Sequence, residues 1–170
     1  MTMTLKDIFE KISSYNILNY LIPGAIFWYL CPILCGVTLP VDNMVGELVG
    51  FYFVGMIIYS IGSMLIEPIY RKIHIVQFEA YSQYIAASNA DPKLISLSES
   101  NNTFRTMIAL CISLVITKLY FEYFPDLNSW WIIFILFLVF SFAYIKRTLY
   151  IKSRISIILD ELKAKKSVDN

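Results

Sequence analysis

Four apolar stretches, residues 17–39, 45–66, 106–124 and 130–145, leave this chain few ways to fold. A hydrocarbon core about 30 Å thick takes roughly 20 helical residues to cross, and each stretch meets or approaches that length. A Lys or Arg at the centre of a span costs about 2.5–3.5 kcal/mol on the insertion scale. The deep charge in these stretches is Lys118, close enough to the end of its span to carry its ammonium outward beside Tyr120 and Tyr123. A hydrophobic content of 58%, with 16% charged residues and a mean hydropathy of +0.62, lies outside the usual soluble range. The sequence therefore predicts an all-α integral membrane protein, a four-helix bundle.

The basic residues orient the spans. All but one of the 14 Lys and Arg residues fall in segments on one side. They are Lys6 and Lys11 before the first span, Arg71, Lys72, Lys93 and Arg105 between the second and third, and the group from Lys146 to Lys166 after the fourth. The turns at Pro40–Met44 and Pro125–Ser129 carry Asp42 and Asp126 and no base. The positive-inside rule then places both termini and the middle connection in the cytoplasm, with Trp130 and Trp131 in an outer aromatic belt. The net charge of +1 hides this asymmetry and gives no reason to expect nucleic acid as a partner. Asp7 and Glu10 precede the first apolar run, and no small-x-small cleavage site follows it, so that span is expected to stay as an anchor.

Five segments follow. Residues 1–22 read as an interfacial amphipathic helix, with Leu5, Ile8, Phe9, Ile12 and Tyr15 at helical spacing. Residues 23–66 form a first transmembrane hairpin, entered by a bend at Pro23 and kinked again at Pro32. Residues 67–105 are a cytoplasmic helical connection. It is expected to hold a helix from Tyr70 to Ala87, a second one starting at Asp91-Pro92, and a turn back to the membrane at Ser98–Thr103. Residues 106–145 form the second hairpin, and 146–170 an amphipathic cytoplasmic tail.

Enzyme signatures such as HExxH, GxSxG or a phosphate-binding glycine loop are missing from the sequence, and a middle connection of this length is too short for an enzyme domain. His74 has no second ligand nearby and reads as a surface residue, while Cys31, Cys35 and Cys111 read as small buried hydrophobes. Neither catalysis nor a metal or other cofactor is expected. Three sets of residues call for a role. Gly46 and Gly50 make a small-xxx-small pair in the second span, with Gly55 and Gly62 beyond, a face for close helix packing within one chain or between copies. Glu67 ends the second span and Arg105 begins the third, so with Arg71 they are expected to form a latch at the inner interface, clamping the connection to the spans or releasing it when a partner binds. Ile151, Ile155, Ile158 and Leu162 recur at coiled-coil spacing, as an oligomer seam or a docking face for the connection.

The run ISSYNILNYLIPG at 12–24, an amphipathic lead-in ending in an apolar Pro-Gly, and the polar stretch Ser98–Arg105 leading into a span, resemble small bacterial multi-pass membrane proteins. Among these are transmembrane effectors of phage-defence systems of the retron, CBASS and Kiwa types. The resemblance implies a non-enzymatic, homo-oligomeric inner-membrane protein that senses or disrupts the bilayer under a cytosolic regulatory protein. Other readings of the residues are a small channel or transporter subunit and a passive membrane scaffold for a soluble enzyme.

Overall fold

The computed structural model describes residues 14–36, 43–124 and 130–168, with side chains described from 15 to 160. Leu5, Ile8, Phe9 and Ile12 of the lead-in, most of the two short turns, and the Leu162 side chain lie outside these residues. Among the described residues there are only helices: α1 (residues 14–35), α2 (Met44–Lys72), α3 (Tyr81–Ala90), α4 (Lys93–Tyr123) and α5 (Trp130–Val168). Four of them, all but α3, are long and apolar enough to cross a membrane.

Two of these helices pass a proline without breaking. In α1 a π-turn spans Ile17–Leu21, and the Ile22 amide bonds to the Ile17 carbonyl just before Pro23. In α2 a π-turn spans Gly62–Ile66, and the Glu67 amide bonds to the Gly62 carbonyl just before Pro68. A proline ring removes one donor and collides with the carbonyl four residues back, and a wide turn moves that carbonyl aside. The lead-in from Ser14 and the first span are therefore one continuous helix, not an interfacial helix that stops at Pro23.

Elsewhere the ends have local causes. α1 stops at Gly36, whose φ of 68° suits glycine and whose amide returns to the Pro32 carbonyl. Asn43 caps α2, its side chain accepting from the Gly46 amide at 2.7 Å. The end of α2 corrects the expected helix from Tyr70 to Ala87. His74 adopts a left-handed φ of 59°, and the amides of His74 and Ile75 turn back to the Arg71 and Tyr70 carbonyls, a Schellman ending built without glycine. The chain is non-helical until Tyr81. The expected turn at Ser98–Thr103 is also corrected, since α4 runs unbroken through it into the span. There the hydroxyls of Ser100, Thr103 and Thr106 bond back to carbonyls one turn earlier, satisfying polar side chains without leaving the helix.

Helices α1, α2 and α4 make a three-helix core around Cys31, Ile58, Ile66, Ala109, Leu110 and Leu114. The tightest crossing lies between α1 and α2, where a Cβ on Gly24 would overlap the Phe51 carbonyl and one on Gly55 the Tyr20 carbonyl. Helix α5 stands outside this core. It packs on α2, with the rings of Phe53 and Phe140 6.0 Å apart, and no residue of its most apolar stretch is buried.

Candidate functional site

Polar and charged side chains gather where α1, α2, α4 and α5 meet, at the end of the bundle that carries Glu67. Glu67 ends the second π-turn and is 10% exposed at its side chain. Its Oε2 accepts from Arg105 Nη1 of α4 at 2.6 Å and from Lys146 Nζ of α5 at 3.1 Å. Lys146 also donates to the Ser63 carbonyl at 2.6 Å and to the Ser63 hydroxyl at 2.8 Å, so all three ammonium hydrogens have acceptors. One carboxylate thus ties three helices together. The Arg105 guanidinium lies 5.2 Å over the Tyr59 ring, and its buried Nε has no hydrogen-bond partner among the described residues.

A neutral layer adjoins the ions. Tyr15 and Tyr59 share a hydroxyl–hydroxyl bond of 2.8 Å, with the Asn102 amide 3.5 Å from Tyr15 Oη. Asn19 and Thr106 are fully buried. Asn19 donates to the Tyr15 carbonyl at 3.0 Å, and the Thr106 hydroxyl donates to the Asn102 carbonyl at 2.8 Å while standing 3.5 Å from Asn19 Oδ1. Burial, and then the bond to Tyr59, push the Tyr15 pKa well above the ordinary tyrosine value, so this hydroxyl stays protonated. Both π-turns feed the cluster, one presenting Asn19 and the other Ser63.

The structure brings Glu67 and Arg105 together and leaves Arg71 elsewhere, its guanidinium 5.3 Å over the Phe78 ring beyond the end of α2. Lys146 holds the second position on Glu67. Sequence reasoning counted it only as one more basic residue after the fourth span, although its place directly after an apolar run was the available signal. The glycines face inward: Gly50 meets the Trp28 ring, Gly55 the Tyr20 backbone, and Gly62 the Arg105 carbonyl and the Ala109 methyl. Gly46 serves the α2 cap. Ile151, Ile155 and Ile158 are exposed. Lys118, near the far end of α4, pairs loosely with Glu122 at 3.7 Å.

Chemically, the cluster binds helix to helix. One oxygen of its carboxylate holds two cations, and its hydroxyls and amides are engaged with neighbouring groups. With two bases on one acid it carries an excess positive charge. Among the described residues, no group of His, Cys, Asp and Glu could hold a metal ion. No family model, curated protein or solved structure matches this chain.

Proposed function

We propose that this chain is a non-enzymatic, oligomeric component of a bacterial anti-phage defence system in the inner membrane, which senses or disrupts the bilayer under the control of a cytosolic partner. The positive-inside rule then puts the Glu67 end and both termini in the cytoplasm. The observation that carries this reading is the attachment of α5. Among the described residues that helix meets the three-helix core mainly along α2, where the Lys146 ammonium ties it by bridging Ser63 and Glu67. A partner that engages the cytoplasmic part of α5 or the connection, or competes for Lys146, would loosen the fourth span without unfolding the core.

A channel or ion-coupled transporter would carry its ionisable groups in mid-membrane. Here the paired carboxylate and its two cations sit at one end, which favours a structural latch.

The test is inducible expression of the full chain in bacteria with a voltage-sensitive dye. Wild type is expected to leave the membrane polarised, and Lys146→Gln, which removes the ionic tie of α5 to Glu67, to depolarise it. Polarised cells at wild-type membrane levels of the variant, with normal growth, would count against the effector role.

A further inference from the structure

We infer that three or four copies of this chain assemble through the free face of α5, whose segment beyond the membrane forms a parallel helical bundle. The argument rests on the membrane reading above and deepens it by naming the partner of one surface.

Helix α5 is 39 residues long. At a rise of 1.5 Å per residue it measures about 58 Å, nearly twice a hydrocarbon core of about 30 Å. With Trp130 at one interface, hydrocarbon ends near residue 150, and Ile151, Ile155 and Ile158 emerge beyond it, 54%, 53% and 41% exposed. Lipid does not reach this stripe on a straight helix. Nor, among the described residues, does the chain itself: the three isoleucines lie about 120–180° around α5 from Lys146, through which the helix docks on α2 just before they emerge.

The stripe fits a second copy of itself. Spacings of 4, 3 and 4 from Ile151 to Leu162 put Ile155 and Leu162 at a and Ile151 and Ile158 at d of a heptad. Copies inserted in the same orientation emerge side by side and parallel, at high effective concentration. In that register Glu161 at g meets Lys166 at the next e of its neighbour, an opposite-charge pair, while Arg154 meets the uncharged Leu159. The like-charged pair, Arg147 with Lys152, falls at the membrane end, where anionic headgroups neutralise it. The residue types set the copy number. Ile at both a and d, or Leu at a with Ile at d, favours three or four strands over two.

Native mass spectrometry of the full chain released from detergent reads the copy number. Three or four copies for wild type and for Lys152→Gln, and a loss to monomer for Ile155→Lys, are expected. A monomeric or dimeric wild type, or an Ile155→Lys variant that assembles like wild type, would overturn the inference. Single cysteines in a chain with Cys31, Cys35 and Cys111 replaced by Ala give a readout that leaves the stripe largely apolar. Ile151→Cys and Ile158→Cys are expected to cross-link between copies in native membranes, and Ser153→Cys, on the docked side, to stay uncross-linked; the reverse pattern overturns the proposal. Depolarisation by Lys146→Gln with a monomeric wild type would defeat this inference and the oligomeric part of the functional reading while leaving its membrane-disrupting part standing, and a silent trimer or tetramer would do the opposite.

Discussion

Glu67 holds two cations on one oxygen in a position almost closed to solvent, so its loss strands Arg105 and Lys146 together. Removing one partner of a buried pair costs about 3–5 kcal/mol, whereas replacing the whole pair with apolar residues is often neutral. Glu67→Leu is therefore expected to lower the detergent unfolding midpoint strongly, and Glu67→Leu with Arg105→Leu to recover most of it, as followed by helical circular dichroism. Gly55→Ala drives a methyl into the Tyr20 backbone, and an overpacking cost of about 1–3 kcal/mol is expected in the same assay. His74 offers the opposite sign. Its left-handed φ of 59° costs a non-glycine residue about 1–2 kcal/mol, so His74→Gly is expected to raise the midpoint. The Glu67–Arg105 contact was legible because both residues close apolar runs at the same end of adjacent spans. Lys146 was not, because a base just after a span satisfies the positive-inside pattern whichever way it points, and hydropathy does not say which face of α5 docks. Arg71 misled for a related reason, since the helix ends within a turn of it and the chain beyond offers the Phe78 ring instead.

At the scale of elements, the apolar runs foretold four long apolar helices but not how helices begin, end or widen. The segment 73–80 contains neither Gly nor Pro, so nothing local announced the break at His74. The run 98–103 is rich in Ser and Asn, yet its side chains bond back into the helix they were expected to end. The π-turns were hidden because a wide turn leaves no compositional mark beyond the proline that follows it. They can be tested by subtraction. A π-turn amounts to one extra residue in an α-helix, so deleting the exposed Leu65 should let Gly62–Ile66 close to α geometry with Glu67 and Ser63 near their present faces. Deleting Ile57 from the regular part of α2 instead turns the part that carries Gly55 by about 100° against the part that carries Gly62, and so misaligns Gly24 with Gly55 or Gly62 with Ala109. Thermal midpoints of both variants in detergent should show the first close to wild type and the second collapsed. Equal loss in both would mean that the wide turn is fixed by more than its neighbouring proline.

For the molecule as a whole, four candidate spans would, on the proposed reading, put the two ends of the chain on one side, and the positive-inside rule would make that side the cytoplasmic one. The fold adds a reason for that side to matter, because the ionic cluster, the helical connection and the far part of α5 all lie at the same end as Glu67. Fusions carrying alkaline phosphatase, active only outside the cytoplasm, or a fluorescent protein, bright only inside it, would read the orientation. Fluorescence is expected from fusions after Asn170 and within 75–80, and phosphatase activity from a fusion within 125–129. The pattern should respond to charge, because the rule counts Lys and Arg close to span ends. Placing several Lys residues in 125–129 while replacing Lys146, Arg147, Lys152 and Arg154 with Gln should invert or unseat the last hairpin, moving a terminal fusion from fluorescent to phosphatase-active. If the terminal fusion stays fluorescent in that variant, orientation is held by the packed core of α1, α2 and α4, with α5 following it passively through Glu67.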